Sequence, residues 1–81
     1  MTDQEILEKL QNILHETFEI DPQRVQPEVN LFADLGLDSI DAVDLAIQLQ
    51  KLTGKRIQPQ DFKEVRTVAD VIAAVRRLLA A

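Results

Sequence analysis

The sequence predicts an all-α fold: a small four-helix bundle of three main helices and one short helix, with a long loop between the first two. Three observations predict it. Apolar residues recur every three or four positions over 3–18, 39–52 and 67–79, the spacing that lines one face of a helix. Residues that cap helices stand at the starts of these segments, and Gly54 stands just after the middle one. The chain of 81 residues makes one domain, 1–81, near the lower limit at which a single core holds a fold without staples.

The first helix is predicted over 3–18, with Thr2 or Asp3 as its cap. Ile6, Leu7, Leu10, Ile13, Leu14 and Phe18 form its apolar stripe. His15 falls opposite that stripe, beside Glu8 and Gln11, and reads as an exposed surface residue. A catalytic histidine would need a nucleophile and an orienting partner nearby.

Residues 19–38 form a loop of about twenty residues, a length that is uncommon in a compact domain. It carries Val25, Val29, Leu31, Phe32, Leu35 and Leu37, which is too apolar for a free linker. It is therefore expected to lie folded across the bundle. Pro22 and Pro27 stiffen it, and Asp21-Pro22 reads as the start of a turn.

The second helix is predicted over 39–52, closed near Thr53-Gly54 by a glycine cap. On a helical wheel advancing about 100° per residue from Ile40, Leu45, Leu49, Leu52, Ala42 and Ala46 span an arc of roughly 120° to 240°, wide enough to face a core. Asp41, Asp44, Gln48 and Lys51 face water. Ile40, Val43 and Ile47 form a second apolar strip flanking the acids, which the helix of a small domain does not need for packing. Loop residues such as Leu35 and Leu37 cover this strip, or the bundle wraps the helix more fully, or it is a docking patch of apolar anchors beside acids. Ile57 then returns to the core. Pro59 suits the first turn of the short helix, which reaches Phe62 and at most Glu64. The last helix is predicted over 67–79, capped by Thr67 with Asp70, its stripe made of Val68, Val71, Ile72, Val75 and Leu79.

Composition removes several classes of function. There is no cysteine, so neither a disulfide framework nor a thiolate metal site can be built. No carboxylates cluster at metal-loop spacing, and no metal is expected. The first residues lack the basic and apolar regions of a signal peptide, and no apolar run reaches membrane-spanning length. The mature protein is expected to be the whole chain, monomeric, in the cytoplasm. The net charge of −5 is unevenly spread: residues 1–50 hold eleven acids and two bases, residues 51–81 three acids and seven bases. A negative field over the first half argues against nucleic acid, a helix-turn-helix reader included, and for basic protein partners.

The most informative residues are Asp34-Leu35-Gly36-Leu37-Asp38-Ser39-Ile40. A hydroxyl stands where a polar loop enters a helix. Asp38 reads as the N-cap, with Asp41 three residues on completing a capping box, and Gly36 allows the chain to turn just before them. Helix N-termini carry unpaired N–H groups and partial positive charge, which suits an attached phosphate. This run resembles the prosthetic-group site of acyl carrier proteins, in which the serine of an Asp-Ser-Leu or Asp-Ser-Ile motif is esterified by phosphopantetheine. The resemblance extends over nearly all of the chain in its order of helix, apolar-studded loop, motif, helix, glycine turn, short segment and last helix.

The resemblance implies a carrier and not an enzyme. Ser39 would bear the phosphopantetheine arm, drawn from coenzyme A by a separate phosphopantetheinyl transferase, and Asp38 would help to hold that enzyme's metal. The thiol for thioester chemistry then belongs to the cofactor, which accommodates a protein without cysteine. Ile40, Asp41, Val43, Asp44 and Ile47 match the positions at which the family's second helix meets partner enzymes. Those partners would be acyl-transferring, ketosynthase-type or other enzymes with basic docking surfaces, in fatty acid, polyketide or related lipid biosynthesis. The match weakens along the helix. Carriers of primary fatty acid synthesis tend to end it in glutamates, whereas Gln48-Leu49-Gln50-Lys51-Leu52 stands here, followed by Lys55-Arg56. A specialised pathway is the expectation. Within the class, a D-alanyl carrier shares the aspartate before the serine, while a peptidyl carrier usually has a glycine-rich lead-in. Outside it, the alternative is a helical interaction module with no cofactor.

Overall fold

A computed structural model describes residues 1–57 and 64–80, and its helices are α1 (Asp3–Phe18), α2 (Ser39–Thr53) and α3 (Val68–Ala80). The fold is an all-α bundle, as expected. The predicted short helix at 59–64 falls largely outside the described residues; its far end, Glu64, lies in a turn.

Each main helix starts at a reciprocal cap. Thr2, not Asp3, caps α1: its Oγ1 accepts the Glu5 N–H at 3.2 Å while Glu5 Oε1 accepts the Thr2 N–H at 3.0 Å. Thr67 and Asp70 do the same for α3, and Asp70 Oδ2 accepts the Arg66 N–H as well, at 3.0 Å. These backbone donors hold the Asp70 carboxyl below its ordinary range, Thr67 contributing most. A carboxyl lowered in the folded state contributes stability that is complete above its unfolded pKa and lost as pH falls through its folded one. Stability should therefore decline as pH drops below about 3.8, the ordinary aspartate value. Asp70→Asn should shrink that decline in acid-titrated thermal melts; an unchanged acid limb would assign it to other carboxylates.

Gly54 closes α2 with φ +69°, its N–H donating to Gln50 O at 2.9 Å. At the end of α1 the left-handed residue is Glu19, φ 59°. Its N–H bonds His15 O at 3.0 Å, and the next N–H, of Ile20, bonds Leu14 O at 3.2 Å. That closure turns Ile20 into the core, a buried position the sequence pattern did not mark. His15 is exposed as expected, with Nδ1 3.3 Å from Ile20 O.

The loop is folded across the bundle and anchored. Asp21 Oδ1 caps a single 3₁₀ turn at Pro22–Arg24, and Gln11 Nε2 on α1 donates to Val25 O at 3.0 Å. Further along it meets the start of α3: Leu31 N–H donates to Arg66 O, Val68 N–H to Val29 O, and Ala69 N–H to Pro27 O, at 2.8 to 3.0 Å. These bonds satisfy backbone groups that a buried loop would otherwise leave unpaired, which is how so long a segment is tolerated. Val25, Leu31 and Leu37 are buried, with Val29, Phe32 and Leu35 packed against them.

The core joins Ile6, Leu10 and Leu14 of α1, Leu45 and Leu49 of α2, Val68, Val71 and Val75 of α3, and Val25 of the loop, all under 2% exposed. Ile57 is also buried. Leu79 is only half-buried; Ala74 lies deeper, because α3 rests its middle turns on α1 and α2 and its last turn leaves the core.

Candidate functional site

The approach to Ser39 is built by backbone capping. Asn30 Oδ1 accepts the N–H groups of Phe32 and Ala33 at 2.9 and 2.8 Å, and Asp34 Oδ2 returns to the Asn30 N–H at 2.8 Å. Arg24 reaches across the loop and donates to Asp34 O at 2.7 Å. Gly36 takes φ +72°, a conformation that strains any residue with a Cβ. Leu37 follows with its N–H on Leu31 O and its side chain in the core, which fixes where α2 begins. Asn30 and Arg24 were not singled out from the sequence. The Asn30-x-x-x-Asp34 spacing beside a glycine is the local signal that could have found the first; nothing local marks the second.

Asp38 has extended backbone and caps α2. Its Oδ1 accepts the Asp41 N–H at 2.9 Å and its own N–H donates to Asp41 Oδ2 at 3.2 Å, the expected capping box. Because Asp38 and Asp41 build the cap, the Ser39 hydroxyl takes no part in it. Ser39 is the first residue of α2 and is exposed. Ser39 therefore stands exposed at the electropositive end of a 15-residue helix.

The second apolar strip of α2 is not covered. Ile40 is 73% exposed, Val43 60% and Ile47 42%. Leu37 goes to the core and Leu35 packs against it, so neither shields the strip. Asp44 is exposed beside it, while Asp41 is half-buried. The opposite face holds Leu45 and Leu49 inside, with Ala46 and Leu52 against them, as the wheel requires. Gln50 has a structural part that the sequence did not show. Its Oε1 accepts the Ile57 N–H at 2.8 Å, so it joins α2 to the chain that follows and is no simple replacement for a surface glutamate. Among the described residues no three of His, Asp or Glu are grouped to hold a metal ion.

Residues 8–75 match the family model for a phosphopantetheine attachment site. Over its full length the chain is 64% identical to acyl carrier protein 2 of Ralstonia nicotianae, which it covers completely. The chain belongs to the acyl carrier protein family. The carrier is also 35% identical to the acyl carrier protein of Thermosynechococcus vestitus, over the whole of both. It is 36% identical over 77 residues to the meromycolate extension acyl carrier protein of Mycolicibacterium smegmatis, covering 95% of this chain and 78% of that one. A crystal structure of the acyl carrier protein from Thermotoga maritima superposes with a TM-score of 0.86 at 29% identity, covering 96% of this chain and 91% of the other.

Carriers of this family hold acyl intermediates on a covalently attached phosphopantetheine, for fatty acid or related biosynthesis. The carrier is accordingly a shuttle and not a catalyst, and its family works with phosphopantetheinyl transferases and biosynthetic enzymes. The relatives favour acyl cargo over the D-alanyl and peptidyl alternatives and leave the cofactor-free module without support. Among the described residues no helix is long and apolar enough to cross a membrane.

Proposed function

We propose that Ser39 bears the phosphopantetheine arm, and that Ile40, Asp41, Val43, Asp44 and Ile47 form the face by which enzymes read the carrier. The observation that supports this most is an exposed hydroxyl, outside the cap, on the first residue of a capped helix. The residues fit the group: the helix end favours its phosphate, and Asp38 keeps Oδ2 outside the cap to meet a metal held by the transferase. When bound, the arm supplies a thiol that holds the acyl group as a thioester. The chain's own part is to present Ser39, to keep its backbone rigid through Asp38 and Asp41, and to offer an apolar strip beside Asp44. We place this single-domain carrier as a monomer in the cytoplasm, in a specialised rather than housekeeping acyl pathway, on the support of Gln48 and Lys51 near the end of α2. The direct test is incubation with coenzyme A and a promiscuous transferase. Intact mass should rise by one arm, about 340 Da, with peptide mapping to Ser39. Modification at another residue would refute the assignment.

Asp44 and Asp41 separate docking from capping. Asp44→Lys changes only an exposed charge, so its stability cost should be about half a kcal/mol or less. Loading by a transferase with a basic surface should slow roughly tenfold at low salt, and recover partly when salt is varied at fixed enzyme. Asp41→Lys also removes an acceptor from the capping box and should cost about 1 kcal/mol besides. Urea melts alongside the loading rates check both; if Asp44→Lys loads at the normal rate, the patch is misassigned.

A further inference from the structure

The exposed strip of α2 has opposite charges at its two ends. Asp38, Asp41 and Asp44 stand at the Ser39 end. Lys51 lies in the last turn, about 10 Å further along than Asp44 at roughly 1.5 Å per residue and on the same side of the helix. Lys55 and Arg56 follow, both exposed. They are not on a loose tail: Gly54 N–H is held by Gln50 O, Lys55 N–H by Thr53 Oγ1 at 3.1 Å, and Ile57 N–H by Gln50 Oε1, with Ile57 buried. Segment 54–57 is thereby pinned against the end of α2. The separation of the two charge groups is about one Debye length at 0.1 M salt, so a partner meets them as two fields and not as one cancelled charge.

Resting on the reading of Ser39 and α2 above, we propose that the strip fits an enzyme surface of divided charge. That surface is basic around the entrance for the arm and acidic some 10 to 15 Å away, where Lys51, Lys55 and Arg56 come to rest. A uniformly basic surface would attract Asp41 and Asp44 but repel the three cations. The same pattern is self-complementary for an antiparallel second copy. Area decides against that occupant. A stable pair buries about 800 Å² on each partner. A 15-residue helix is about 22 Å long, and one face of it, about 10 Å wide, offers far less. A transient enzyme encounter needs no such area.

The test uses one purified ketosynthase of fatty acid synthesis with a basic docking rim, and a form of it with two basic rim residues distant from the arm entrance changed to Glu. The native chain, loaded with the arm and checked by mass, should be used about tenfold better by the divided-charge form at low salt, the gain shrinking at high salt. A Lys51→Glu, Lys55→Glu, Arg56→Glu chain should reverse the preference. Equal use of the two forms by the loaded native chain, or preference for the basic one, overturns the proposal and leaves the Ser39 reading standing. A chain that does not load overturns both. A salt-sensitive dimer in sedimentation overturns the proposal in favour of a second copy.

Discussion

Ser39→Ala should take up no phosphopantetheine and keep its fold. The substitution removes the only hydroxyl at the start of α2, so loading should be lost outright, not slowed. Stability should hardly change, since the cap belongs to Asp38 and Asp41 and the Ser39 side chain is exposed. Alanine is also a good helix former, so the expected shift is within about 0.5 kcal/mol. The measurement is intact mass after treatment with transferase and coenzyme A, with a thermal melt of the same sample. A gain of about 340 Da on Ser39→Ala would place the arm elsewhere. A variant that fails to fold would mean that the hydroxyl is structural.

Leu49→Ala should bring the largest loss of stability. Leu49 has no exposed surface and lies on the side of α2 opposite the docking strip, where it meets the core shared by all three helices. Truncating a buried leucine costs about 2 to 5 kcal/mol, through lost apolar transfer and the cavity left behind. A domain of this size has roughly 4 to 12 kcal/mol in total. At about 4 to 8 °C per kcal/mol, the melting temperature should fall by about 10 °C or more. Ile47→Ala, two residues away on the exposed strip, is the control. It removes a side chain that remains 42% exposed, so it should cost far less stability while slowing partner reactions. If the two variants melt together, the division of α2 into a core face and a docking face is wrong.

Those two faces were legible because helical periodicity is a local property. A residue every three or four positions lands on one side whatever the rest of the chain does. The extents of α1 and α2, the Asp38–Asp41 box and the glycine closure at Gly54 follow from residues within four positions of one another. The candidate site was legible for the same reason, since Asp38, Ser39, Ile40, Asp41 and Asp44 are neighbours in sequence. What escaped was non-local or conditional. Ile20 enters the core only because Glu19 takes a left-handed conformation, which its side chain does not announce. Nothing local marked Gln50 as the residue that holds Ile57, seven residues away.

An all-α bundle of this order, a serine at a helix start and a charge pattern divided between the halves of the chain could all be read from the amino acids alone. Periodicity, caps and composition act through neighbours or through sums, and both can be read along a line. That the apolar strip of Ile40, Val43 and Ile47 stays open was settled by packing, because its possible covers, Leu35 and Leu37, had a competing place in and against the core. Only the tertiary structure decided that the loop is anchored by Val29, Leu31 and Pro27 to the start of α3. Such choices depend on which distant groups come within hydrogen-bond or packing distance, and that is fixed when the helices pack together.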